Sequence, residues 1–326
     1  MQLARGESVH YQKGCLAILF ASTLWGTTGT AASFAPAVSP LAIGAFAMGV
    51  GGLLQAFLAR KAILKNISNS LLFKKYFIIG AIALAIYPLA FYSSMKYSGV
   101  AIGTVVSIAS APFFCVLIEC LFGKRLRINR YWILSFIMGV IGVFLLSSSE
   151  PSAAVKSNYD LKLFGILLGL IAGLSYAVYS WIAKVLIDRG VQSQAVLGSI
   201  FTLGATILLP SLIVTGDNLF SSIETVAVVI YMAIIPMCVG YIAFGYGLRF
   251  VSATGANLLT LFEPVIAAVF AVTIVGEFIP MSGWLGIALI MLCIPAPRLS
   301  GMIWPLNRAM AALWPFSWRK AGRPAA

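Results

Sequence analysis

The chain has 326 residues, of which 61% are hydrophobic and only 10% are charged. A soluble domain is typically about 45–50% apolar and about 25% charged. Most of this chain is therefore expected to face membrane lipid. The net charge of +13 could indicate nucleic-acid binding, but the basic residues stand in short runs between apolar stretches. A nucleic-acid-binding protein gathers them on one face, so we exclude nucleic acid as a partner.

Apolar stretches long enough to cross a bilayer follow one another along the chain. A spanning helix needs about 20 mostly apolar residues. This rule predicts an all-α integral membrane protein with about ten transmembrane helices. Numbered as spans 1 to 10, they cover 14–34, 40–59, 76–95, 101–122, 131–148, 162–183, 195–214, 224–246, 253–275 and 282–299.

The basic residues are unevenly distributed between the two sides of the membrane. If the N-terminus is cytoplasmic, 19 of the 22 lysine and arginine residues lie on the cytoplasmic side. The other side holds Lys96, Lys156 and Lys162. Such an excess marks cytoplasmic loops. We therefore expect a multi-pass protein of the cell (inner) membrane with both termini in the cytoplasm.

The tail at 300–326 differs from the rest of the chain. Its three tryptophans are interspersed with basic residues, which is typical of a segment that lies at the cytoplasmic membrane interface. Two prolines, Pro305 and Pro315, would break a long helix there. An interfacial tail and a disordered tail both remain open.

The two halves of the chain are similar to each other. At an offset of 152 residues, Gly103 and Pro112 align with Gly255 and Pro264. Because each half holds an odd number of spans, the second copy would enter the membrane upside down, as in many secondary transporters. The sequence thus predicts two inverted five-helix repeats, at 14–148 and 162–299.

Short motifs in both halves resemble the EamA type of the drug/metabolite transporter superfamily. They are Trp25-Gly26 in span 1, the run 240–249 in span 8, the Leu261-Phe262-Glu263-Pro264-Val265 turn in span 9 and Gly276-Glu277 at its end. The resemblance covers about residues 14–299 and implies a ten-helix transporter built from two repeats. It does not identify a substrate. The first half departs from the pattern, because basic Lys124-Arg125 follow span 4 where the family has an acidic residue.

Glu263 is the most conspicuous ionisable residue inside a predicted span. A charge at the bilayer centre costs about 2.5–3.5 kcal/mol on insertion scales, so it requires a function or a partner. The following Pro264 lacks an N–H and frees a backbone carbonyl inside the membrane. Glu263 could bind protons or substrate, or it could tie span 9 to its neighbours. Asn257 lies on a bordering face of the same span.

Glu119 is the second candidate for proton coupling. It ends a stripe of small or polar residues along span 4 that includes Ser107 and Cys115. The alternative is that Glu119 pairs with Lys124 or Arg125 at the interface, because long basic side chains reach such depths.

Aromatic residues lie away from the predicted interfaces, where membrane tryptophan and tyrosine usually concentrate. A central pocket with aromatic walls suits amino acids or related amphiphilic molecules. The candidate substrate contacts are Trp25, Tyr87, Tyr92, Tyr176, Asn257 and Glu263. On span 6, Gly165, Gly169 and Gly173 recur at a spacing of four and predict close helix packing.

Together these features predict a secondary transporter that moves a small metabolite, an amino acid or a related organic compound, outward across the cytoplasmic membrane by alternating access. Protons are a candidate coupling ion, and no cofactor or metal is expected. The sequence has no G-x-x-x-x-G-K-[ST] loop for ATP. A membrane-embedded enzyme would need histidine clusters or paired acids, and the predicted spans contain neither. An enzyme and a lipid or sugar-lipid carrier component are the alternatives. Nothing in the sequence specifies an oligomeric state.

Overall fold

The computed structural model of the protein describes residues 2–66, 71–122, 130–148, 159–276 and 278–293. Within these ranges the chain is helical and forms no strand. The tail at 300–326, Glu277 and the side chains of Lys124 and Arg125 lie outside the described residues.

All ten predicted spans correspond to helices. Eight of them, within the described ranges, are long and apolar enough to cross a membrane. These eight are span 1 (Gln2–Gly26 and Thr28–Ser33), span 2 (Pro40–Lys65), span 3 (Lys74–Ser98), span 4 (Val100–Phe122), span 6 (Tyr159–Asp188), span 7 (Ser193–Thr215), span 8 (Ile223–Gly247) and span 9 (Ala253–Val275). Spans 5 and 10 are the shorter helices Arg130–Ser147 and Met281–Cys293.

The outer surface of the helical assembly is apolar. Large side chains such as Phe57, Leu58 and Ile137 are exposed to 63%, 64% and 47%. A monomeric soluble protein rarely exposes contiguous apolar surface on this scale. The protein is therefore a multi-pass membrane protein whose outer faces contact lipid.

Contacts between the spans repeat across the two halves of the chain. Span 2 packs against span 7, and span 5 packs against span 10, so each contacts its own counterpart in the other repeat. Span 1 packs against spans 8 and 9 in the same way that span 6 packs against spans 3 and 4. This exchange of partners is the pattern expected of two five-helix repeats related by a pseudo-twofold axis.

The glycine stripe of span 6 allows that helix to approach spans 3 and 4. A Cβ atom added at Gly169 would lie 2.8 Å from the Ser94 hydroxyl and 3.0 Å from a Val106 methyl group. A Cβ atom at Gly165 would lie 2.5 Å from the backbone nitrogen of Ser98. Glycine at these positions therefore sets the distance between helices of the two repeats.

We expect Gly169→Leu to lower the free energy of unfolding by about 1–3 kcal/mol or more, because the added side chain overpacks the contact with spans 3 and 4. The measurement is the melting temperature and the folded yield in detergent. Gly29→Leu is the control, because a Cβ atom at Gly29 on span 1 meets no neighbour within 4 Å. Equal melting temperatures for the Gly169→Leu protein and the wild type would contradict the close contact.

Candidate functional site

Span 8 loses regular α-helical geometry around Pro236. Residues Ala233–Gly240 form a π-helical segment between two α-helical ones. Proline removes a backbone donor, and a π segment shifts the hydrogen-bond ladder, so carbonyl groups lose their usual partners. Span 3, by contrast, stays α-helical through Pro88. The break therefore occurs in the second repeat.

Side chains from the first repeat bind the carbonyl groups that the break leaves available. The Trp25 indole Nε1 donates to the carbonyl oxygen of Pro236 over 2.9 Å. The Gln55 amide Nε2 donates to the carbonyl oxygen of Met237, also over 2.9 Å. Backbone polar groups inside a membrane must be satisfied by the protein itself. Spans 1 and 2 thus hold the irregular part of span 8.

Span 9 is also interrupted, at the turn that contains Glu263. A 3₁₀ turn, Thr260–Phe262, separates the α-helical segments Ala253–Leu259 and Glu263–Phe270. Glu263 opens the second segment, with Pro264 in its first turn. Negative charge is favourable at a helix N-terminus.

The Trp25-Gly26 motif packs directly against this turn. A Cβ atom at Gly26 would lie 2.8 Å from the backbone oxygen of Glu263 and 2.6 Å from the Cβ of Ile266. Only glycine permits so close an approach without displacing span 9. Two of the sequence motifs are therefore parts of one contact between the repeats.

The Glu263 carboxylate lies deep in the protein, yet it is only half-buried. It accepts no hydrogen bond from any described residue. Its charge interacts with the tyrosines Tyr87, Tyr92, Tyr176 and Tyr241. The structure thus holds a partly exposed interior carboxylate, without a described hydrogen-bond donor, among aromatic rings.

An aromatic cluster forms the walls around Glu263. Ring centroids are 4.6 Å apart for Trp25 and Tyr241 and 5.4 Å apart for Tyr87 and Tyr176. The hydroxyl groups of Tyr179 and Tyr241 are hydrogen-bonded at 2.8 Å. The cluster unites spans 1 and 3 of the first repeat with spans 6 and 8 of the second.

Tyr92 and Tyr176 also belong to this cluster. Tyr92 joins it through Phe91, with ring centroids 5.3 Å apart. The buried Tyr176 hydroxyl has no hydrogen-bond partner among the described residues, although Thr260 lies beside it. The structure thus places Trp25, Tyr87, Tyr92 and Tyr176 around Glu263.

Asn257 ties span 9 to span 6. Its Nδ2 donates to the Ser180 hydroxyl over 2.9 Å and to the carbonyl oxygen of Ala253 over 2.9 Å. The side chain is fully buried, and its Oδ1 has no partner within the described ranges. Its donor group is therefore used within the protein, and its oxygen is a buried acceptor without a described partner.

Glu119 lies apart from the Glu263 cluster, at the N-terminal end of span 9. Its carboxylate accepts a hydrogen bond from the Thr254 hydroxyl over 2.6 Å and one from the Thr254 backbone nitrogen over 3.3 Å. Thr254 precedes Glu263 by nine residues, which is about 13 Å along a helix. Glu119 is thus hydrogen-bonded to the first turn of span 9, away from Glu263.

An open cavity of about 390 Å³ lies between spans 1, 8 and 9, on the side predicted to be periplasmic. Its walls are mostly apolar and include Phe34 and Phe270. Its polar groups include the Thr27 and Tyr231 hydroxyls, which are hydrogen-bonded at 2.7 Å. The three spans that form it also surround Glu263.

Some contacts of the site were not identified from the sequence. Gln55 was missed. A side-chain amide inside an apolar span could have indicated a hydrogen bond to a neighbouring span that a proline interrupts. Thr254 and Ser180 were missed as partners of Glu119 and Asn257, because hydrogen bonds between spans depend on helix register, which one sequence does not reveal.

The EamA-like transporter family model matches residues 12–148 and 163–294. The chain belongs to the EamA-like transporter family. It is 34% identical over 281 residues to the uncharacterized transporter YwfM of Bacillus subtilis, covering 85% of this chain and 90% of that protein. It is 24% identical to the uncharacterized inner membrane transporter YicL of Salmonella typhimurium, covering 86% of this chain and 93% of the relative.

A solved crystal structure shares the fold of this EamA protein. The TM-score is 0.73 at 19% identity, and the match covers 90% of this chain and 99% of the other. Family membership confirms the resemblance seen in the sequence motifs, and it identifies a membrane transporter, not an enzyme.

We expect Trp25→Phe to lower the free energy of unfolding by about 1–3 kcal/mol, because the buried carbonyl oxygen of Pro236 loses its donor while the aromatic ring is retained. Thermal unfolding in detergent measures this loss. Trp284→Phe is the matched control, since Trp284 is 46% exposed on span 10. If both variants have the melting temperature of the wild type, the indole hydrogen bond does not stabilise the irregular segment of span 8.

Proposed function

We propose that this EamA protein is a secondary transporter that moves an amino acid or a related organic compound out of the cell by alternating access. The observation that carries the proposal is the Glu263 carboxylate, which is accessible among aromatic rings between the repeats and accepts no hydrogen bond from the described residues. A carboxylate that only joined helices would be expected to accept hydrogen bonds from them.

The chemistry of this cavity suits an amphiphilic molecule with a cationic group. A carboxylate attracts an ammonium group, and the faces of aromatic rings attract both cations and apolar groups. Tyr87 and Tyr92 are half-buried, like Glu263, and both interact with its charge. An amino acid carries both features, whereas a purely apolar compound would leave the carboxylate unpaired.

The arrangement of the repeats supports alternating access. Spans 1 and 8 and their counterparts 6 and 3 contact each other across the aromatic cluster. Rocking of one repeat against the other would open the cavity first to one side and then to the other. Glu263 would exchange a proton at each side and so couple transport to the proton gradient. In this proposal the protein lies in the inner membrane, and both of its termini lie in the cytoplasm.

The substrate class is tested with each radiolabelled proteinogenic amino acid in inside-out proteoliposomes, where uptake corresponds to efflux from a cell. We expect accumulation of at least one amino acid when a proton gradient is imposed. Uptake of none of them, with or without the gradient, would contradict the proposed substrate class.

We expect Glu263→Gln to abolish proton-driven accumulation and to retain counterflow of the same amino acid with a raised KM. Exchange needs alternation but no net proton movement, while the ammonium group of the substrate loses its carboxylate partner. Glu224→Gln is the control, since Glu224 is exposed at the start of span 8. Intact proton-driven accumulation by a well-folded Glu263→Gln protein would refute the coupling role of Glu263.

A further inference from the structure

The start of span 9 is held by a side chain from the other repeat. Helix N-termini leave backbone N–H groups without partners inside the helix. At this N-terminus the Ser252 hydroxyl accepts from the Gly255 nitrogen over 3.1 Å. The neighbouring Thr254 nitrogen and hydroxyl both donate to Glu119 of span 4. Spans 4 and 9 are counterparts in the two repeats, so this pair of hydrogen bonds joins the repeats directly.

Charged and titratable groups from spans 4 and 6 meet at this point. Lys184 of span 6 is 6% exposed, bonds to Asp188 over 2.7 Å and interacts with Glu119. Cys115 of span 4 accepts from the Thr254 hydroxyl over 3.8 Å. Among the residues with described side chains, Lys184, Asp188 and Cys115 are the titratable groups that interact with Glu119.

Buried polar groups continue from this point towards the Glu263 cavity. Asn257 lies one turn beyond Thr254 and bonds to Ser180, while its Oδ1 has no described partner. Thr260 follows and lies beside the unpartnered Tyr176 hydroxyl. Buried polar atoms without protein partners are the groups that internal water satisfies. The hydrogen bonds between Glu119 and Thr254 therefore close the cytoplasmic end of a polar column inside the protein.

We propose that Glu119 is a proton-binding site on the cytoplasmic side and that its ionised form latches span 9 to span 4. Hydrogen bonds to an ionised carboxylate are roughly twice as strong as neutral ones, and the helix N-terminus adds attraction for the charge. Proton uptake by Glu119 weakens both contributions, so span 9 separates from span 4 and the column opens to the cytoplasm. This inference rests on the proposed alternating access.

Native Cys115 reports on the latch without substrate or gradient, because it is fully buried beside Thr254. In a variant that retains Cys115 as its single cysteine, we measure its reaction with 4,4′-dithiodipyridine in detergent micelles. We expect Glu119→Gln and Thr254→Val each to react about tenfold faster than the parent at neutral pH, because the charge-assisted contact is lost. Acid lowers the thiolate fraction in both proteins, so the readout is the ratio of their rates. Acidic buffer should bring the rate of the parent up to that of the Glu119→Gln variant.

Two controls separate local opening from general loosening. Glu224→Gln, on the opposite side of the membrane in the proposed topology, should leave Cys115 protected. In a variant whose single cysteine is the buried Cys238 of span 8, the reaction rate should be the same whether or not Glu119→Gln is also present. Equal protection of Cys115 in the parent and both latch variants, or parallel exposure of Cys238, would overturn the latch. Either result would leave the role of Glu263 intact, because that role is measured by transport.

Discussion

The need to satisfy backbone polar groups inside the membrane determines how this protein is built. Span 8 is irregular at Pro236, and its available carbonyl groups are bound by Trp25 and Gln55. Neither donor belongs to the repeat that contains the break. Because the indole of Trp25 must reach Pro236, Gly26 is brought against the turn of span 9. The hydrogen bonds that satisfy the irregular part of span 8 thus also position the interrupted turn of span 9.

These contacts place the polar interior of the protein at two levels. The central level contains Glu263 and the aromatic cluster, where the carboxylate is accessible and accepts no hydrogen bond from the described residues. The second level contains Glu119, whose carboxylate is fully engaged with the first turn of span 9. The two acids therefore differ in kind. Glu263 has no described hydrogen-bond donor, whereas Glu119 forms a contact between the repeats.

Much of the fold was predictable from the sequence, because hydropathy and residue spacing report on single helices. Each of the ten predicted spans coincides with a helix over its described residues, and eight of these helices are long and apolar enough to cross a membrane. The spacing of Gly165, Gly169 and Gly173 correctly indicated close packing.

The contacts between helices were less predictable, because they depend on the rotation and register of two spans at once. Pro88 and Pro236 look alike in the sequence, yet only the segment at Pro236 leaves the α-helical ladder. The expected pairing of Glu119 with Lys124 or Arg125 stays a prediction, because both residues lie outside the described residues. The described partner of Glu119, Thr254, is 135 residues away. The family motifs pointed to Trp25 and Glu263 as candidate functional residues. They did not indicate that the two motifs form one contact between the repeats.

Alternating access at this site requires position 263 to lie in an aqueous cavity that opens to each side of the membrane in turn. The direct measurement is labelling of Glu263→Cys, in a protein without its other cysteines, by a membrane-impermeant thiosulfonate in right-side-out and inside-out vesicles. Ile137→Cys, on the lipid-exposed face of span 5, is the control and should stay unlabelled from both sides. We expect Glu263→Cys to be labelled from either side. Labelling from neither side, or from one side alone, would contradict an alternating cavity around Glu263.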